Sequence, residues 1–212
     1  EHLGLRRIET HHVWSIGPRM LKKAAVFVVA VVLFIGALGA LLSREWHVER
    51  TVRIEATPER VLPFIANLRK WQDWAVWTKA LDPKVVNTFA GPDQGVGARW
   101  QWQGPVMGRG AMTITAADET GVSVDEAIES DVVNAHARLS LRRDGNATIV
   151  TWTDDGTLPP MGGFFREQLE HQLGAHFEQG LGALKTLVEK QPPPQPLPPP
   201  SSLENLNLPD AG

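Results

Sequence analysis

The order of periodicities along this chain predicts an α+β domain: a strand, short helical turns, six further strands and one long helix. Three observations carry that prediction. Apolar and polar residues alternate in a series of short segments between Trp46 and Asp154, separated by turn residues. After Phe164 the period changes, and Phe165, Leu169, Leu173, Phe177, Leu181, Leu184 and Val188 recur every three or four residues up to Lys190. The strand segments follow one another directly, which suggests an antiparallel meander with the helix packed on one face.

Residues 1–23 form a short basic segment carrying Arg6, Arg7, Arg19, Lys22 and Lys23. Met20 resembles a natural start, which would make residues 1–19 an upstream extension. Ala24–Leu42 then runs for nineteen residues without a charge. As a helix it would be ~28 Å long, close to the hydrocarbon thickness of a bilayer. Lys22 and Lys23 precede it and Ser43-Arg-Glu-Trp46 follows, the tryptophan suiting a membrane interface. The preferred reading is an uncleaved single-pass signal anchor. A cleaved signal peptide, with its small-residue site near Ala37-Leu-Gly39, is the alternative. Basic residues flank both sides, so the charge bias is slight; it is read as N-terminus inside and domain extracytoplasmic.

The folded domain is expected over residues 45–190. Trp46–Glu55 alternates as a first strand, and Thr57 before Pro58 reads as a helix N-cap. Val61, Phe64, Ile65 and Leu68 supply that helix's buried stripe. Strands are expected at Val85–Phe89, Ala98–Gly104, Gly110–Ala117, Gly121–Ser130, Ala135–Arg143 and Ala147–Asp154, with a hairpin signal at Arg143-Asp-Gly-Asn146. In the long helix Gly180 falls on the apolar face, whereas the pattern gives no reason for Gly174 or Gly182. Residues 191–212 begin with seven prolines between Pro192 and Pro200 and read as a stiff, disordered tail or, less simply, as a segment that docks on a partner.

Composition narrows the function. A net charge of −3 and a pI near 6.2 argue against nucleic acid as a partner. The absence of cysteine excludes disulfides, thiolate metal sites and a cysteine nucleophile. No His/Asp/Glu cluster shows metal-ligand spacing, and no cofactor is expected. The loop Gly91-Pro-Asp-Gln-Gly-Val-Gly97 lacks the ending of a phosphate-binding loop and reads as a hairpin connection. Eight tryptophans and seven phenylalanines without a tyrosine leave most of the aromatic surface without a hydroxyl. Trp71, Trp74 and Trp77 share one helical face, and Trp100 and Trp102 share one strand face. Their convergence on one apolar interior fits a protein that encloses something oily. Core, cavity wall and a portal facing the bilayer are all open to them.

Two polar residues stand out. Glu126 has the same strand parity as Val122, Val124 and Ile128, so a regular strand points it inward, while a bulge would turn it to solvent. His176 lies within the apolar arc of the long helix, as a cavity hydrogen-bonder, a general base, or a histidine at the edge of a packed face.

Several segments together resemble the START-like, helix-grip (SRPBCC) superfamily, in particular its bacterial polyketide cyclase/dehydrase-type members. They are Thr57-Pro-Glu-Arg-Val61, Leu68-Arg-Lys-Trp-Gln-Asp-Trp-Ala-Val-Trp77, Gly91–Ala98, Gly108-Arg-Gly-Ala-Met-Thr-Ile-Thr115, Val150-Thr-Trp-Thr153 and Phe177-Glu-Gln-Gly-Leu-Gly-Ala-Leu-Lys185. The resemblance implies a curved antiparallel sheet gripping the C-terminal helix around a hydrophobic cavity. The stretch Asp131–His136 is shorter than the corresponding loop of the family. Candidate wall residues are Phe64, Trp74, Trp100, Trp102, Met112, Ile114, Trp152, Leu173 and Phe177, with Glu126 and His176 as polar handles. The expected function is membrane-anchored binding of a lipid-like or polycyclic molecule. The alternatives are a cyclase/dehydrase-type enzyme using His176 and Glu126 as acid and base, or a protein-interaction module.

The uncharged run carries the first prediction. Full-length protein should stay with the membrane fraction after carbonate washing, and a chain starting at Arg44 should be soluble. Recovery of a mature N-terminus near Leu41 would instead establish cleavage.

Overall fold

A computed structural model describes residues 18–129 and 133–191 of the chain. Most of the basic N-terminal segment, the proline run and the first two residues of the Asp131–His136 stretch lie outside the described residues.

The first helix, α1, spans Pro18–Leu41 and is long and apolar enough to cross a membrane. Strand β1 (Glu45–Ile54) follows, then helix α2 (Pro58–Ile65), which starts on Pro58 where the missing proline N–H costs nothing. A 3-10 turn at Lys70–Asp73 opens the tryptophan-rich stretch. Six strands come next: β2 (Val86–Ala90), β3 (Arg99–Gly104), β4 (Gly108–Asp118), β5 (Gly121–Ile128), β6 (Val133–Asp144) and β7 (Ala147–Thr157). A second 3-10 turn at Gly162–Phe165 leads into helix α3, Arg166–Lys190. Every expected strand is present, and β7 runs three residues further than its pattern indicates.

The seven strands form one sheet in the order β1-β7-β6-β5-β4-β3-β2, antiparallel throughout. Strands β2 to β7 are the meander; β1 closes it by pairing with β7, and α3 packs on the inner face. This is the helix-grip α+β fold.

Indoles hold the interior together. The carbonyls of Phe64 and Ile65, at the end of α2, lack partners within that helix, as helix ends do. Trp74 and Trp71 donate their Nε1–H groups to these two oxygens at 3.3 and 3.0 Å. The same two rings then pack on Trp152 of β7, at centroid distances of 5.6 and 5.5 Å. Trp152 also stacks on Phe177 of α3 at 4.1 Å with an interplanar angle of 7°. One indole thus joins the sheet, the tryptophan stretch and the long helix.

Two sequence readings change here. Trp46 is not at an interface: it is buried in β1, because its strand parity faces the core. Gly174 does have a reason. A Cβ there would collide with the guanidinium of Arg50, which crosses the helix to pair with Glu178 at 2.6 Å.

Removing the Phe177 ring empties the centre of this contact. Phe177→Ala should cost about 3–5 kcal/mol, read as a shift in the urea midpoint followed by tryptophan emission. A loss below ~1 kcal/mol would mean that α3 is held by other contacts.

Candidate functional site

Strand register places the inward side chains in rows across the sheet. One row runs Trp100, Met112, Glu126, Ala135 over β3 to β6. The next runs Ile114, Val124, Ala137, Asp154, Val48 over β4 to β1. Glu126 and Asp154 therefore stand on strands β5 and β7, one row apart, with β6 between them. The inward residues of β6 at this level are Ala135 and Ala137, whereas further along they are Leu139 and Leu141. The alanines leave a space that the leucines would fill.

Between the two acids and α3 lies a cavity of about 80 Å³. Its walls are Trp100, Trp102, Met112 and Phe177, with Glu126 and Asp154 as the acidic groups. Trp77, Ile128 and Leu173 complete it and are only half-buried, so they form its mouth. The volume suits a few waters or one small chemical group, against ~300–1,000 Å³ for drug-sized sites. A larger depression of about 500 Å³ lies between the starts of β1 and α3, lined by residues such as Ser43, His47, Arg166 and Glu170. It is a polar surface groove, and the buried acids face the smaller space.

Of the residues singled out in the sequence, Trp100, Trp102, Met112, Glu126, Leu173 and Phe177 come together around this cavity. Trp74, Ile114 and Trp152 are packed in the core outside its lining. Phe64 faces a surface groove between α2 and the end of α3, under the ammonium of Lys70. His176 lies behind the wall, its ring edge-to-face on Trp77 at 5.6 Å. Glu126 consequently has an acid for a neighbour rather than an imidazole.

Asp154 is the residue that pattern reading missed. Val150, Trp152 and Asp154 share one parity, but the alternation stops at Asp154, and at the end of a strand side-chain direction is undefined. In the structure Asp154 is 4% exposed, and its Oδ1 accepts the indole N–H of Trp46 at 2.7 Å. The Trp46 ring reaches that position by lying over Gly156, where any Cβ would collide with it.

The electrostatics follow from burial. Desolvation raises the Glu126 pKa well above the usual glutamate range, and the charge of Asp154 raises it further. No described residue hydrogen-bonds its carboxyl. Asp154 is pushed up to about 6, first by burial, against the Trp46 hydrogen bond that favours its ionised form. Burial and mutual repulsion thus favour keeping a proton on the pair, and Asp154, which accepts the Trp46 N–H, is the better placed of the two to carry a charge. On the outer face His136 and Asp125 pair at 2.7 Å and His47 and Asp155 at 2.6 Å, in an exposed row that solvent screens. The site thus offers a hydrogen-bond donor and an acceptor side by side among aromatic walls.

Residues 45–189 match the family described as polyketide cyclase / dehydrase and lipid transport, and the chain belongs to that family. It is accordingly a START-like hydrophobic ligand-binding domain. Among solved structures, the Bacillus cereus protein XoxI is 15% identical with a TM-score of 0.51, over 68% of this chain and 96% of its own. A Thermus thermophilus protein is 20% identical with a TM-score of 0.50, over 67% and 96%. A hypothetical protein from Helicobacter pylori is 7% identical with a TM-score of 0.53, over 67% and 87%. At these identities the likeness is one of fold alone. No curated protein matches the sequence significantly.

The acid pair makes stability depend on pH in a definite direction. Folding raises both carboxyls above their ordinary values of 4.5 and 3.8, so in that range the folded chain binds more protons than the unfolded one. Their contribution is fully present below the ordinary values and is lost as pH rises through about 6 and beyond. Glu126→Gln stays neutral at every pH and should flatten this slope, leaving the variant more stable than the parent in alkaline buffer. Urea midpoints measured across pH test this; an unchanged slope would mean that Glu126 is solvated.

Proposed function

We propose that the domain binds one hydrophobic small molecule between the sheet and α3, its polar end against Glu126 and Asp154. The observation that carries this is the placement of two buried acids in an otherwise apolar cavity. A ligand pocket typically pairs apolar walls with a few fixed polar groups. A neutral carboxylic acid beside a carboxylate suits a hydroxyl or an amine at the end of a lipid-like or polycyclic body. Such a body exceeds about 80 Å³, so its entry requires Trp77, Ile128 and Leu173 to swing outward. Their partial exposure is compatible with that movement.

In this reading α1 is the signal anchor, the domain lies outside the cytoplasm, and residues 191–212 are an appendage. Tethering beside a bilayer raises the local concentration of any ligand dissolved in it.

One observation favours a second reading, an enzyme of the cyclase/dehydratase type. Enolisation and loss of a hydroxyl need a base and an acid close together, and the pair supplies both protonation states. Asp154 would take the proton and Glu126 would give one. His176, behind Trp77, has no part in this scheme.

Titration with a naphthalene dye or a fluorescent fatty acid should quench tryptophan emission and saturate near one ligand per domain. Glu126→Gln should weaken an amine- or hydroxyl-bearing ligand about tenfold, roughly the loss of one hydrogen bond, and leave a purely apolar probe unaffected. Turnover abolished with affinity retained would favour the enzyme. A flat titration with every probe, on folded protein, would rule out the cavity as a ligand site.

A further inference from the structure

We infer that the connection between β7 and α3 is a second membrane contact, entering the headgroup and upper acyl region of the bilayer beside α1. This rests on the reading of α1 as a membrane span. From Gly156 to Phe165 the chain carries no charge, and Leu158-Pro-Pro-Met-Gly-Gly-Phe-Phe165 is largely apolar. Burial in the domain does not account for that composition. Met161 and Phe164 are each 41% exposed and Phe165 is 70% exposed. Three large exposed apolar side chains within five residues are a surface that water disfavours and a bilayer accepts.

The position of the segment identifies its partner. It packs on the last turns of α1, where Gly39 is buried against it: a Cβ on Gly39 would stand 2.6 Å from Met161 Sδ and 2.8 Å from Phe164 Cε2. Gly39 lies two residues before the end of the span, about 3 Å along the axis. When α1 crosses a bilayer, Met161 and Phe164 are therefore at the depth of its final turn. The base of the loop is fastened to the residue emerging from the span, because the Leu158 N–H donates to the Arg44 carbonyl at 2.9 Å. The Arg44 guanidinium donates back to the Leu158 carbonyl at 3.4 Å and is exposed, as suits a phosphate headgroup. A second copy of the domain could cover the same side chains only by displacing the lipid around α1. The bilayer is the occupant.

The contact has a consequence for ligand entry. Helix α3 begins at Arg166, and Leu173 at the cavity mouth is seven residues, about 10 Å, along it. Ile128, also at the mouth, pairs with Val133 at the same end of the sheet that carries Glu45 and Thr157. A loop seated in the bilayer holds the mouth close to the lipid surface.

The chain lacks cysteine, so single labels are simple to introduce. The full-length protein is reconstituted in vesicles of phosphatidylcholine and phosphatidylglycerol, with and without acyl-chain nitroxide lipid. An environment-sensitive fluorophore is attached to Phe165→Cys and, as an independent position, Pro160→Cys. Val32→Cys in mid-α1 reports the span, and Asn146→Cys in the β6–β7 hairpin, at the opposite end of the sheet, reports the aqueous background. The loop labels should be blue-shifted and lose most of their emission to the nitroxide, as the Val32 label does, while the Asn146 label is unaffected. Quenching at Val32 with both loop labels behaving like that at Asn146 overturns the loop contact and leaves the anchor standing. If the Val32 and loop labels all behave like that at Asn146, both readings fall.

Discussion

The contact between Trp152 and Phe177 sets what the interior can be. Trp152 comes from the sheet and Phe177 from α3, and the indole also meets Trp71, Trp74 and Trp77 from the stretch after α2. Three separate elements are tied through one ring. The cost is visible in the ring itself, since its Nε1–H is buried without a hydrogen-bond partner among the described residues. Surrounded by aromatic carbon, it has no oxygen to reach. Packing outweighs one lost hydrogen bond, because each of these large rings removes ~150–250 Å² from water.

The same contact divides the space under α3. Toward the β6–β7 hairpin the inward residues are large, with Leu139 and Leu141 on β6 and Val150 and Trp152 on β7. Toward the other end they become Ala135 and Ala137 on β6 and Asp154 and Gly156 on β7. The cavity lies where the series becomes small and polar. Burying two acids there is unfavourable, and replacing a buried acid by an apolar residue of similar volume commonly raises stability. Their cost is borne at the cavity between the sheet and α3. Asp82, a third buried acid just before β2, shows the contrast. It accepts backbone N–H groups from Lys84, Val106 and Met107 at 2.9–3.1 Å and is a structural clamp. Glu126 has no such partners.

What could be read in the sequence is what rests on short-range periodicity. Alternation fixes which face a strand residue takes, so a regular strand puts Glu126 inward beside Val124, with a bulge the open alternative, and the three-to-four period of α3 brought Leu173 and Phe177 to the same face. Legibility failed where direction depends on an element's end or on a distant partner. Asp154 was lost because the alternation stops at it, three residues before the strand does, although Val150 and Trp152 of matching parity were there to be used. Trp46 was misplaced because a tryptophan after an apolar run suits an interface on chemistry alone, and only pairing of β1 with β7 turns it toward Asp154. Gly174 is explained by Arg50, at the other end of the domain's sequence. His176 has the right helical phase, but Trp77 stands between it and the cavity, which no periodicity reports.

Helix α1, the loop after β7 and the cavity mouth all belong to one end of the sheet. Glu45 of β1, which follows α1, pairs with Thr157 of β7, and Thr157 pairs with Asn134 of β6, the neighbour of Ala135 in the cavity row. The opposite end, at the β6–β7 hairpin, is about 33 Å away along β7. A binding domain serving soluble ligands gains nothing from this arrangement, because its mouth could open to water at either end. With ligands that dissolve in lipid, it shortens the aqueous path from bilayer to cavity to roughly the length of two helical turns. Under the proposed function, the acid pair then meets the polar end of the molecule, and the aromatic walls take up its body as Trp77, Ile128 and Leu173 move aside. In that sequence of events the small resting cavity is a closed state rather than a contradiction, since a dry apolar space open at all times would be unfavourable in water and unnecessary beside a membrane.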